Sequence, residues 1–168
     1  GLGLGRLDLG GATSSAEALD QVRAALAAHD PDRPFIAENW DDGRWSPGDR
    51  LERPALDALA PRTPIVLRRV CGHLAIANGA ALDALGARAT HAVHRAQGLV
   101  DAPRGVLLED AAMRLREVFL PTPAEIDAAL DRAEAHALAL GVTGVHDIAE
   151  RAGIAAFSAR RRAGRHRL

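Results

Sequence analysis

Six residues, Ile65-Val-Leu-Arg-Arg-Val70, restrict this chain more than any other stretch. Pro64 stiffens the approach, the run itself is β-branched and apolar, and Cys71-Gly72-His73 closes it. Beyond His73 the hydrophobic period changes from two to about 3.6, so a strand, a turn and a helix are expected. Asn78 is the expected N-cap of that helix, Leu82 and Leu85 share one face, and Gly86 is the stop. A second joint of the same kind lies downstream. Ala124–Leu140 reads as a long helix with Ile126, Leu130, Ala133 and Leu138 on its apolar side, Gly141 stops it, and Val142–His146 reads as a short buried strand. A helix joined to a strand through one glycine is the α-to-β connection of an α/β fold, the class expected here. In such folds chemistry sits at carboxyl ends of strands, which singles out His73 and His146, although from the residues alone structural packing is the simpler reading of a lone histidine there and His146 equally suits a packed position.

The remaining elements follow from punctuation. Leu7 and Leu9 mark a short strand before Gly10-Gly11, and Thr13 or Ser14 caps an amphipathic helix carrying Ala18, Leu19, Val22, Ala25 and Leu26. Phe35–Asn39 reads as a strand leading into Trp40-Asp-Asp-Gly-Arg-Trp45, whose two tryptophans suit either an anchoring cluster or a pocket wall. Pro54 starts a short helix to Leu59. Leu99-Val100 and Gly105–Leu108 flank Asp101–Arg104 as a hairpin-like pair; Glu109 follows directly, and Ala111–Val118 continues as a helix. The three-residue spacing of His91 and His94 suits a metal pair on a helix, but no third ligand stands nearby, and an exposed connection is the simpler reading.

Composition narrows the function classes. With 48% apolar and 26% charged residues the chain is of globular type. A net charge of -1 argues against a nucleic-acid partner, and the arginines from Arg151 to Arg167 interleave with Ile154, Ala155, Phe157 and Ala163 at helical spacing, as on a solvated helix face. No apolar run nears the roughly 20 residues that span a bilayer, so no membrane partner is expected. Cys71, the single cysteine, excludes an internal disulfide and reads as a small buried residue at a strand end; a reducing, cytoplasmic location is expected.

Four segments resemble, in order, those of amidohydrolase family three, the metal-dependent hydrolases that include N-substituted formamide deformylase. Glu38-Asn-Trp-Asp41 with Trp45 is similar to the family's Gly-Trp-Asp segment, with Asn39 where the family has glycine. Leu67-Arg-Arg-Val-Cys-Gly-His-Leu-Ala-Ile-Ala-Asn78 resembles its Gly-His…Asn segment, Gly105–Ala111 its Gly-x-Leu-x-Glu-x-Ala segment, and Gly141–Asp147 its Gly-Val-Thr-x-x-His-Asp strand. The resemblance implies a (β/α)8 TIM-type barrel, a His-x-His metal pair, two later histidines and an aspartate. The chain has no His-x-His, so the expectation is a partial barrel, incomplete at both ends and an internal fragment: one domain, with 1–62 a peripheral α/β segment and 63–168 the barrel strands and helices.

The implied activity is metal-dependent hydrolysis of a carbon–nitrogen bond other than a peptide bond in a small-molecule amide-type substrate. A divalent metal is implied, zinc being the expected ion, with Glu109 as the ligand that a carboxylated lysine supplies in other amidohydrolases; this chain has no lysine. His73 would bond the substrate or a developing oxyanion, and His146 and Asp147 would line the same cavity. From the residues alone, Glu109 equally suits a helix start and Asp147 a helix N-cap. The isolated chain is expected to hold no metal tightly and to be inactive. The alternative is a noncatalytic remnant or interaction module, and an open piece of barrel should self-associate through its strand edges.

Overall fold

Ile65–Arg69 forms strand β3, with Ile65, Val66 and Leu67 all buried, as a run apolar on both faces requires. The computed structural model describes residues 2–86, 97–146 and 151–167. They fall into two compact units, Arg6–Leu120 and Gly1–Gly5 with Pro121–Leu168.

In the larger unit a mixed six-stranded sheet has the order β1-β2-β3-β4-β6-β5. Its strands are β1 (Leu7–Asp8), β2 (Phe35–Trp40), β3, β4 (Leu74–Ala77), β5 (Val100–Asp101) and β6 (Val106–Leu108). Neighbours β1, β2 and β3 run parallel, whereas β3 with β4, β4 with β6 and β5 with β6 are antiparallel. Helices α1 (Ser15–Leu26) and α2 (Arg53–Leu59) cover one face, packing Val22 and Leu56 among Leu9, Phe35, Leu67 and both tryptophans. Helices α3 (Gly79–Gly86) and α4 (Glu109–Val118) cover the other, where Leu82, Leu85 and Leu115 meet Val66 and Leu107.

β4 corrects the expected strand–turn–helix order. Leu74-Ala-Ile-Ala is too short and too alanine-rich for its local pattern to separate strand from helix. Pairing decides it: the tight turn at Gly72, with φ of 76°, returns the chain so that β4 fills the gap between β3 and β6. Asn78 then caps α3 as expected, its Oδ1 accepting from Ala81 N–H at 3.0 Å. The tryptophans form an anchoring cluster, with ring centroids 6.0 Å apart and Trp45 Nε1 donating to Ala12 O at 2.8 Å. Asn39 has φ of 71°, a left-handed conformation that glycine adopts without cost. That explains why a glycine suits this position, and the Asn39 amide compensates by donating to Asp8 Oδ1 at 3.2 Å.

In the smaller unit, α5 (Pro123–Ala139) starts from a reciprocal capping box between Thr122 and Glu125, and α6 (Arg151–Arg162) packs against it. Two expectations fail here. Val142–His146 is irregular and exposed, because no strand pairs with it among the described residues and a strand needs partners for its backbone groups. The arginine-rich helix is not wholly a solvated face either. Arg160 is 1% exposed, and it donates to Asp127 Oδ1 at 2.8 Å, Asp131 Oδ1 at 2.5 Å and Glu134 Oε2 at 3.2 Å. These acids recur on one side of α5, and burying the guanidinium among them leaves both signs compensated.

Arg165 and then Arg160 hold the Asp127 carboxyl down at about 2, against 3.8 ordinarily. Because the folded value is the lower one, this stabilisation is present above pH 3.8 and disappears as pH falls through about 2. Acid titration followed by circular dichroism should show helix loss across this window, and Asp127→Asn should flatten that step. No helix of the described residues is long and apolar enough to cross a membrane.

Candidate active site

The antiparallel register of β4 and β6 places Leu74 opposite Leu108, so the next pair outward is His73 and Glu109. The ladder continues through it: Glu109 N–H donates to His73 O at 2.7 Å. The side chains meet as well, with His73 Nδ1 2.8 Å from Glu109 Oε2. An ionised carboxylate only accepts, so that nitrogen carries the proton and Nε2 is left as the other ring position. Glu109 also has φ of 47° at the junction of β6 and α4, a conformation that costs a non-glycine residue energy and recurs at functional sites. Both side chains face solvent, at 64% and 65% exposure, so the contact is open to a ligand.

Cys71 lies two residues before His73 and is exposed, not the buried residue expected. The turn carries it outward, because Gly72 rather than Cys71 makes the chain reversal and the strand ends at Arg69. Partial burial works against its ionisation, but the backbone N–H of His73 and the Arg69 side chain outweigh it and lower the thiol's pKa. Arg69 is itself held by Asp42 Oδ1 at 2.9 Å and Asp41 Oδ1 at 3.2 Å, with its guanidinium 5.8 Å from the Trp40 ring centroid. The residues Trp40 to Trp45 are thereby tied to the end of β3.

Of the four site residues expected, the fold brings together His73 and Glu109. His146 is exposed and belongs to the other compact unit, and Asp147 lies outside the described residues, as do His91 and His94. Among the described residues no group of three or more His, Cys, Asp or Glu side chains converges closely enough to hold a metal ion. The pair therefore does not fit a complete metal centre, which takes three or four protein ligands. Its meeting was missed in the sequence because the two residues stand on different strands, and only the β4–β6 register makes them neighbours.

Comparisons with known proteins agree with this arrangement of elements. A model of the amidohydrolase family matches residues 1–165. YtcJ of Bacillus subtilis (strain 168), an amidohydrolase by its name, is 30% identical over 146 residues, covering 84% of this chain and 28% of its own length. Protein LONG AFTER FAR-RED 3 of Arabidopsis thaliana is 30% identical over 156 residues, covering 88% of this chain and 26% of its own. The fold is similar to crystal structures of uncharacterised metal-dependent hydrolases from Pyrococcus horikoshii OT3 and Pyrococcus furiosus. Their TM-scores are 0.72 and 0.69 at 24% identity, each covering 99% of this chain and 32% and 34% of theirs. The chain thus spans about a third or less of the length of the relatives it matches. With its sheet, its helices and nearly its whole length matched, the chain belongs to the amidohydrolase family.

Proposed function

We propose that the chain forms part of a hydrolase site for an amide-type carbon–nitrogen bond other than a peptide bond, with N-substituted formamides as the substrate class. The sheet is, in this reading, a segment of a (β/α)8 barrel. The observation that carries the proposal is the 2.8 Å contact of His73 Nδ1 with Glu109 Oε2. Glu109 fixes the imidazole's tautomer and orientation, leaving Nε2 to take a proton or, once protonated, to donate to an oxygen that gains charge.

A divalent metal, zinc in first place, would supply Lewis-acid chemistry, and Glu109 is its ligand in this reading. The isolated chain should bind zinc weakly, since the described residues offer no complete ligand set. The names of the two archaeal relatives support the metal, and the order of the four motifs supports the bond type.

The test is to express these 168 residues together with whatever coding sequence adjoins them in the genome, and to assay N-substituted formamides with and without zinc. Metal-dependent turnover is expected, reduced about 100-fold in Glu109→Gln and about 10- to 100-fold in His73→Gln. Turnover unchanged in both variants would remove the pair from the site. Absence of turnover would leave the noncatalytic interaction module, a reading favoured by Leu138, Leu140, Val142 and Val145, all exposed on the smaller unit.

A further inference from the structure

A second cluster of charge lies on the parallel side of the sheet, where the hydrolase reading assigns no role. The β1–β2 register pairs Asp8 with Glu38, and residues two apart share a face, so Arg6, Asp8 and Glu38 point the same way. Arg68 joins them, because Leu67 pairs with Ala37 and the next residue turns to the Glu38 side. Arg6 donates to Glu38 Oε1 at 2.5 Å, and Arg68 donates to the same oxygen at 3.2 Å. The three side chains are 20%, 17% and 12% exposed, which takes them largely out of water.

The charges there do not balance. Among the described residues Glu38 is the one carboxylate ion-paired with the two guanidiniums, so one positive charge there is left without an ion-pair partner of its own. Asp8 is turned toward the loop, where its Oδ1 accepts from Gly10 N–H at 2.9 Å and from Asn39. Burial disfavours the Arg68 cation first; Glu38 opposes this, while the positive charges of Arg116 on α4 and of Arg6 add to it. Each guanidinium carries five N–H donors in a planar fork, and Glu38 uses few of them. What such a site lacks is a planar anion with two oxygens and a single charge. Glu38 and Arg68 also lie toward the carboxyl ends of parallel strands, where open α/β sheets receive ligands.

We propose that Arg6 and Arg68 form a subsite for the carboxylate group of a small-molecule ligand, with Glu38 as the built-in anion that the ligand's carboxylate competes against. That this ligand is the hydrolase's substrate rests on the function proposed above; the subsite itself does not. It assigns the family's amide-type chemistry, in this chain, to substrates that carry a free carboxylate.

Acetate is titrated into the 15N-labelled 168-residue chain at constant ionic strength, and the guanidinium Nε–H resonances of Arg6 and Arg68 are followed. Acetamide serves as the neutral isostere and inorganic phosphate as the competing anion. The expected result is saturable shifts with acetate, none with acetamide, and weaker binding of phosphate. Affinity should fall about tenfold or more in Arg68→Gln and in Arg6→Gln, and rise several-fold in Glu38→Gln, which removes the competitor. A purely structural ion triad predicts the opposite for Glu38→Gln, namely destabilisation and no gain in binding. The proposal is overturned if acetate shifts neither arginine in the wild-type chain and in Glu38→Gln, if Arg68→Gln and Arg6→Gln bind acetate unchanged, or if phosphate binds and acetate does not. Because the readout is equilibrium binding, it stands or falls separately from hydrolysis.

Discussion

Asn78→Ala should destabilise the larger unit by about 3 to 5 kcal/mol, among the largest losses available from a polar residue in this chain. The side chain is fully buried and makes four hydrogen bonds. Its Oδ1 accepts from Ile65 N–H at 2.9 Å and Ala81 N–H at 3.0 Å, and its Nδ2 donates to Ala60 O at 2.9 Å and Thr63 O at 2.8 Å. One amide thus starts β3, caps α3 and closes the loop between α2 and β3. Alanine would remove the partner of four backbone groups, three of them buried, each costing on the order of 1 kcal/mol. Urea unfolding should show the midpoint drop, while Asp83→Ala, on the exposed side of the same helix, should change stability by less than about 0.5 kcal/mol. Equal effects at the two positions would mean that Asn78 is only a helix cap.

The second large effect is expected at Gly105, which has φ of 73° at the start of β6. A Cβ there would lie 2.2 Å from Ala77 O and 2.7 Å from Arg53 Cβ, so the backbone would have to move. Moving it breaks the bond from Ala77 N–H to Gly105 O and disturbs the one from Arg53 N–H to Arg104 O. The left-handed conformation alone costs alanine about 1 kcal/mol, and the clash should bring Gly105→Ala to about 3 kcal/mol or more. Gly48→Ala separates the two contributions, because Gly48 has φ of 87° with nothing within 4 Å of the added carbon. It should cost about 1 kcal/mol. If thermal unfolding gives the same loss for both variants, close approach of the backbone to Ala77 is not what requires glycine at 105.

Gly105 is followed four residues later by Glu109, and the sequence shows both as part of one resembling segment. The structure gives the segment a physical reason. Glycine lets β6 pass against Ala77, and the pairing that follows carries Glu109 to His73. The carboxylate's position at the end of an apolar run was legible, but its partner was not. His73 stands at the head of a strand that alanines conceal, and no local pattern links it to a residue on β6. Cys71 misled for a related reason: strand end and turn look alike until Gly72 is seen to reverse the chain. The Arg6–Glu38–Arg68 cluster left no trace in a chain whose charges nearly cancel overall, since the surplus is local and arises from register.

What the amino-acid sequence determined by itself is what depends on near neighbours. The caps at Ser14, Asn78 and Thr122, the helix stop at Gly141, and the amphipathic period of α1 each satisfy backbone groups or bury faces within a few residues. Tertiary structure alone decided what depends on partners far along the chain. It made Leu74–Ala77 a strand by offering it two neighbours, and left Val142–His146 irregular where none is offered among the described residues. It also buried Arg160 because Asp127, Asp131 and Glu134 were there to receive it, which no spacing of arginines on α6 could have announced. Backbone hydrogen bonds and buried charges must be paired wherever the partner lies, and the fold, not the local pattern, supplies that partner.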